Sequence, residues 1–584
     1  MKRILSLFVA LALTVGMMLS FASCGEPEDA GAEISVYLGE EIYDFDPSDY
    51  YVSSNSEQIM SLLYEPLFTL NEKGDFKYAA AERYSVNKEE REIVITLRES
   101  YWSDGVSRVT AQDFIYAWRD LVLEPSNPNP AAALLYDIEN AAAIKAGHES
   151  IYSFGAVASG PYEITISYRE GADYIQLLKN LASVALSPVL ESAASASGDY
   201  WSKSITTIVT NGPFKIEELD IATKSFSLGR NVGYHQDPAI VDYTKNVTPA
   251  SLVSFVNGMG EALSLTYNDI AEKTVFYMAD APLADKAANK SNATVADDLS
   301  TYTYVFNTDK PLFANAKVRR ALSLALDRAA MAEAAVFGKA AESFVSEAVA
   351  EKLYGDLVRP LAETDGMTEA KAIIAGVNLA GLDTSFTLTV NNDEKSIALA
   401  NLAKAAWAEL GFNVSVDPVG TVESSIVDPQ SDKNEKMTIV DSAIQQLVKD
   451  ASYGVRNFDV IAVDWQMYSE DPFVALASMT GNMSGCGKNF ETGLLRASIS
   501  GWQNSEYDQW LTAAFMAESE EDRLMALRNA EEILLEASPI IPVLYNQNAY
   551  FASEDLSGIK VDGFGNFVLT KVSQKNYKQY LKED

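Results

Sequence analysis

The sequence predicts an α/β protein of more than one domain. Three observations carry this. The chain has 584 residues, more than one hydrophobic core ordinarily supports. Between Phe386 and Val416 a strand, a helix and a second strand follow one another, the βαβ rhythm of a largely parallel sheet. Thr301–Arg328 reads TYTYVFNTDKPLFANAKVRRALSLALDR: an aromatic and β-branched run, a polar turn stiffened by Pro311, then apolar residues at helical spacing. In that last part Asn315 is the candidate N-cap, and Val318, Leu322, Ala325 and Ala329 form the stripe. Lys317, Arg319, Arg320 and Arg328 lie off it.

From the N-terminus, Lys2 and Arg3 precede Ile4–Leu19, a run too short to span a membrane and the right length for a signal-peptide core. Ala22-Ser23-Cys24-Gly25 follows. The pattern resembles a bacterial lipoprotein signal in which residues 1–23 are removed and Cys24 carries the lipid, with Phe21 where Leu is usual. Residues 24–32 then read as a flexible acidic tether, whose Gly25–Glu33 stretch (GEPEDAGAE) reaches roughly 30 Å when extended.

The body opens with an alternating strand, Glu33–Leu38, and the turn Asp44-Phe45-Asp46-Pro47. Gln58–Leu67 places Ile59, Leu62, Leu63 and Leu67 on one helical face. Glu92–Leu97 is a strand and Tyr101–Gly105 a turn. Thr110 and Asp113 have the spacing of a capping box ahead of a helix with Phe114, Trp118, Leu121 and Val122 as its apolar stripe. Trp102 and Trp118 read as core. A hairpin turning at Ser159-Gly160-Pro161 fits Phe154–Ser167, and Asn211-Gly212-Pro213-Phe214 is a turn whose Asn-Gly accepts positive φ cheaply.

Further on, Phe386–Val390 is a strand. Leu399–Leu410 is a helix with Leu402, Ala406 and Leu410 on one face, closed by Gly411, and Asn413–Val416 is the next strand. Residues 421–457 are a polar excursion around a short helix (Ile439, Ala443, Ile444, Leu447). Phe458–Pro472 (FDVIAVDWQMYSEDP) is a buried strand leading through Trp465 into a polar loop, a physically sensible cleft wall if the strands are parallel. Asp522–Ala537 is an amphipathic helix ended by Pro539, and Ile540–Tyr545 a buried strand.

Composition excludes several functions. The net charge of −37 argues against nucleic acid and anionic lipid surfaces. Two histidines, His148 and His235, leave little for a multi-histidine metal site or a His-based triad, and His235 reads as a surface or packing residue. With Cys24 modified, Cys486 has no disulfide partner. No GxxxxGK[ST], GxGxxG, GxSxG or HExxH occurs. Ser85-Val86-Asn87-Lys88 fits SxxK without its companion motifs, so no enzyme, metal or cofactor is expected.

Four segments in order, 101–119 (WSDG…TAQDF), 211–214 (NGPF), 301–328 and 521–545 (EEILLEASPIIPVLY), resemble the oligopeptide-binding family of extracytoplasmic solute-binding proteins that serve ABC importers. The resemblance runs from about residue 33 to the end. It implies a periplasmic-binding-protein-like fold: lobe I from 33–75, 206–305 and 543–584, an inserted domain II at 76–205, and lobe III at 306–542, closing on a ligand by hinge motion. It also implies a monomer, anchored by lipid on the outer face of the cell membrane, that passes an oligopeptide or other small solute to permease subunits driven by cytoplasmic ATPases. In peptide-binding members an Asp three residues after the loop Trp pairs with the ligand's α-amino group. Counting from Trp465, that position is Tyr468. Glu470 and Asp471 lie close enough to supply the carboxylate in a shifted register; otherwise the ligand lacks a free amine. Ala131 falls where a pocket Tyr is common and Tyr51 where a Glu is common. A non-peptide solute such as a glycan or metal chelate, a hydrolase, and a peptide-sensing receptor remain as alternatives.

Overall fold

Two 13-residue strands, Thr294–Phe306 and Ile540–Ala552, run antiparallel through the middle of the molecule. The structure is a computed structural model. It describes residues 31–580 except 41, 50–53, 124–127, 204–206, 221–224, 240–243, 258–263, 348, 350–365, 428–435 and 490–491. Among these, the largest sheet is ordered Asn413–Val419, Ser385–Asn391, Val460–Gln466, Thr294–Phe306, Ile540–Ala552, Tyr277–Met278, Glu33–Glu40, Ser251–Asn257, Ser225–Arg230, Phe214–Asp220, with Gly338–Ala340 also on Ile540–Ala552. Ser385–Asn391 is parallel to both its neighbours, as the βαβ rhythm requires. The fold is mixed α/β, as predicted.

The two long strands belong to both halves of this sheet. Their register breaks between Asp297↔Gln547 and Thr301↔Tyr545, so Asp298, Leu299 and Ser300 stand opposite Asn546 alone. A bulge of this kind bends and twists a ladder locally. Here it lies where the half carrying Val460–Gln466 meets the half carrying Tyr277–Met278. A separate four-stranded sheet (Ala81–Asn87, Glu92–Leu97, Glu163–Ser167, Ala156–Gly160) is built within residues 76–205.

The sequence patterns explain most local structure. Asp113 accepts from the Thr110 backbone N–H (2.8 Å) and hydroxyl (2.9 Å), and from the Trp102 indole (3.3 Å). One carboxylate thus starts the helix Ala111–Val122 and pins the preceding turn to it. Trp102 and Trp118 are both fully buried, and the Trp118 indole donates to Leu186 O at 2.9 Å. Asn211 pairs with both backbone groups of Glu65 (3.0 and 2.8 Å). Gly212 is there for proximity, since a Cβ would lie 2.5 Å from the Leu63 carbonyl. Its φ is not positive, contrary to the turn chemistry expected.

Five boundaries or faces differ from the prediction. The helix beginning after Asn315 stops at Leu324, and a second, Arg328–Ala335, starts under its own N-cap, Asp327. Helix Glu394–Ala408 buries Ser396, Leu399, Ala400, Ala403 and Trp407 and leaves Leu402 exposed. Trp407 turns the helix, because its indole donates to Leu322 O (2.8 Å) and its rings meet Tyr304 and Phe386 at 5.7 and 5.6 Å. Ile439 lies in a strand, because Thr421–Val427 and Lys436–Ser442 pair as an antiparallel ribbon. Glu65-Pro66 follows close on the helix Ser54–Leu63, leaving Leu67 buried beyond its end. Arg319 and Arg328, off the apolar stripe, are nevertheless buried, each donating to backbone carbonyls.

Candidate functional site

The parallel strands Ser385–Asn391, Asn413–Val419 and Val460–Gln466 end on one rim, where crevices of open α/β sheets form. Trp465 is the penultimate residue of its strand, paired with Thr301. It is 3% exposed and meets Phe344 edge-on at 5.9 Å. Phe344 is itself positioned from below. The Glu531 carboxylate, fully buried in helix Glu520–Ala537, accepts the backbone N–H groups of Phe344 (2.9 Å) and Val345 (2.8 Å). Burial pushes the Glu531 carboxyl up to about 7, despite those two hydrogen bonds.

Past the strand the chain turns sharply. Met467 N–H donates to Leu299 O at 2.9 Å, beside the bulge. Tyr468 takes a left-handed backbone (φ 59°) and is 2% exposed, an unfavourable conformation for an aromatic residue. Ser469 Oγ donates to Asn180 Oδ1 at 2.6 Å, and the Glu470 carboxylate lies 3.6 Å from Lys179 Nζ. Glu470 also rests against the Gly74 turn, where a Cβ would come within 2.6 Å of both carboxylate oxygens. Asp471 caps the helix Pro472–Ala477 through the Phe473 N–H and takes both carboxylate hydrogen bonds from Arg523 (2.8 and 2.7 Å). Asp471 is therefore committed to structure, with Pro472 at the position where its missing N–H costs nothing.

Ala131 lies opposite. It is fully buried in the turn of 3₁₀ helix Pro130–Leu135, its N–H held by Asn129 Oδ1 at 2.9 Å. Asn129 joins three distant segments: its side chain donates to Ser48 O (2.8 Å) and its backbone N–H to Gly485 O (3.0 Å). The helix Pro472–Ala477 packs on this same turn. The resulting junction links Trp465, Tyr468 and Glu470, on one strand end and loop, to Ala131 through the helix Pro472–Ala477, which packs on Ala131's turn. Tyr51, three residues past Ser48, and Cys24 both lie outside the described residues.

The same junction holds charges that sequence reasoning passed over. Asp46 is pushed up to about 7 by burial and by its neighbours Asp44 and Asp49, and Asp49 to about 6, chiefly by burial. Asp44 goes the other way: burial opposes ionisation, but the Lys203 charge and the hydrogen bonds from Ser202 and Lys203 outweigh it. His235 stacks on Tyr234 (3.9 Å) and sits 2.7 Å from Glu65, a packing role. Cys486 is a free, buried thiol. No group of metal-binding side chains occurs among the described residues, and no helix among them is long and apolar enough to cross a membrane.

An α/β frame with two long strands shared between its halves, and a rim loop contacting a distant segment, is the arrangement of a periplasmic-binding-protein-like fold. The family model for bacterial extracellular solute-binding proteins, family 5, matches residues 75–484, and the chain belongs to that family. Among curated relatives, it is 25% identical to the dipeptide-binding protein DppE of Bacillus subtilis and 26% identical to the periplasmic murein peptide-binding protein MppA of Escherichia coli. Each match covers 96% of this chain and 97% of the relative. The crystal structure of Haemophilus influenzae OppA in complex with the peptide RPPGFSPFR superposes with a TM-score of 0.73 at 21% identity, over 94% of this chain and all of that one.

Proposed function

We propose that this chain is the capture subunit of an ABC importer: a lipoprotein that closes on peptides and delivers them to membrane permease subunits. The observation that carries this is the junction itself. Trp465 and the loop Met467–Asp471 leave strand Val460–Gln466 at the carboxyl rim it shares with its parallel neighbours; the loop meets Lys179 and Asn180 through Glu470 and Ser469, and the helix it leads into packs on the turn Pro130–Leu135. Relatives named for dipeptides and murein peptides support the ligand class.

The lobe division follows from the same reading, with 33–75, 206–305 and 543–584 as one lobe, 306–542 as the other and 76–205 inserted. The bulge opposite Asn546 supports a division of the two shared strands between halves, with the crossing at Asp298–Ser300 and Asn546, a few residues from the 305/306 and 542/543 boundaries. Anchoring through Cys24 on the outer face of the membrane, a monomeric state and the absence of catalysis belong to this reading too. Relatives that bind solutes support the last point.

The ligand's amino group meets an unusual wall. Tyr468 offers a phenol where peptide binders of this type carry a carboxylate, and Glu470 is engaged with Lys179. A buried ammonium needs a compensating charge. This favours a second reading: the solute is a peptide with a blocked amine, or carries none. Titration calorimetry with a synthetic pool of di- to nonapeptides, its N-acetylated counterpart, a neutral glycan and a metal chelate separates these cases. Heat from either peptide pool, lost at least tenfold in affinity in Trp465→Ala, is the expected result. Heat from the glycan or chelate alone would sink the peptide reading.

A further inference from the structure

The ribbon of Thr421–Val427 and Lys436–Ser442 leaves the sheet at the candidate rim. It starts beyond Gly420, directly after strand Asn413–Val419, and returns there, since Ala443 N–H donates to Gly420 O at 3.0 Å before helix Ala443–Ser452 begins. Thr421–Ser425 are all exposed in sequence, with no alternation of buried and exposed positions. A strand that packs one face on a body alternates, so the outgoing strand does not hold the ribbon down; the return strand becomes half-buried, then buried, only toward its end, over Ile439–Ser442.

Its base is held by charge. Lys203 Nζ lies 2.9 Å from Asp44 Oδ2 and pairs on its other side with the Asp441 carboxylate, on the ribbon's return strand. The three side chains are 11, 7 and 14% exposed. Next to this triad, Gln445 Nε2 donates to Asp49 O at 2.7 Å. The other charges facing it are Asp46 and Asp49 from the first segment and Lys449 from helix Ala443–Ser452. Both neighbours raise the affinity of Lys203 for its proton, overcoming the burial that opposes it, so Lys203 is charged at neutral pH. Asp44, Lys203 and Asp441 are far apart in sequence and sit on three segments that the proposed lobes assign separately.

We propose that Lys203 is a positioning residue, a clasp that holds the ribbon base across the cleft mouth and so sets how slowly a captured solute leaves. This rests on the reading of the chain as a hinged binder. Without the ammonium, Asp44 and Asp441 face each other partly buried, and a pair held together becomes a pair that repels. The clasp then opens, while the rim residues Trp465 and Tyr468, which do not touch Lys203, keep their places.

Lys203→Met, Lys203→Arg and the milder Asp441→Asn separate a clasp from a merely structural contact. Hydrogen–deuterium exchange of the purified chain without ligand reads the clasp alone. Both Lys203→Met and Asp441→Asn raise exchange of residues 44–49 and 436–445 at least tenfold, and Lys203→Arg retains wild-type protection. Release of an isotope-labelled di- to nonapeptide pool after dilution speeds up at least tenfold in the same two variants, with association changed less than twofold. Unchanged exchange in both folded variants, or faster association matching faster release, overturns the proposal. If the wild type takes up no peptide from the pool, the peptide reading fails while the exchange experiment still decides the clasp.

Discussion

Arg319→Ala will cost roughly 3 kcal/mol of stability or more, a loss measurable as an earlier urea transition by circular dichroism. Arg319 is 3% exposed in helix Ala316–Leu324. Its Nε donates to Ala537 O (3.0 Å) and Ser538 O (3.2 Å), its Nη2 to Ala537 O (2.7 Å), and its Nη1 to Phe313 O. Ala537 ends helix Glu520–Ala537, whose last carbonyls have no partner within the helix and carry the negative end of its dipole. One planar guanidinium therefore satisfies carbonyls of two segments about 200 residues apart in the chain. Burial lowers its pKa to about 10, which leaves it charged at neutral pH. Alanine removes every donor at once and leaves a cavity. Lysine restores the charge but not the fork, so Arg319→Lys recovers only part of the loss.

Thermal stability will fall as pH rises from about 5 to about 8. Asp298 and Glu531 are almost completely buried, and burial is the main cause that raises each to about 7. The native protein thus keeps protons that the unfolded chain gives up near its ordinary carboxyl pKa. Between those two pKa values unfolding releases protons, so stability drops with rising pH and levels off above about 7. Asp46 and Asp562, raised to about 7 and about 6, act in the same direction. Asp44 has a lowered pKa, so its contribution is lost only in more acid solution, outside this window. At about 1.4 kcal/mol per pKa step, discounted for relaxation around the charge, Asp298 and Glu531 together account for roughly 2–4 kcal/mol. The net charge of −37 adds self-repulsion of the same sign. Calorimetric scans at successive pH values check this. Glu531→Gln is the control: its amide oxygen still accepts from Phe344 and Val345, so the slope flattens while Trp465 keeps its support. A rise in melting temperature toward pH 8 would contradict the assignment.

The sequence made the framework legible because the framework is periodic. Strand runs such as Glu92–Leu97, the Thr110–Asp113 box and the Asn315 cap are local patterns with local causes, and the structure repeats them. Helix Glu394–Ala408 was placed but rotated, because Trp407 outweighs the leucines and one large aromatic sets which face is buried. The break at Leu324–Asp327 was missed because an Asp cap inside an apolar pattern looks like a surface residue.

The candidate site was legible only in part. Trp465 and its loop follow from a strand ending in a polar segment. The groups that meet the loop (Lys179, Asn180), and the nearby Asn129 and Lys203, come from far away in the chain as polar residues with no spacing to betray them. Asp471-Pro472 is the exception, since an Asp before Pro is the mark of a helix start, and its commitment to Arg523 could have been anticipated in kind.

Native mass spectrometry of residues 25–584 as purified, with co-purifying molecules identified after denaturation, tests the central claim most directly. The account predicts a heterogeneous set of short peptides released from the wild type and a depleted set from Trp465→Ala. A single non-peptide mass, or a site that stays empty after incubation with peptide mixtures, would contradict it.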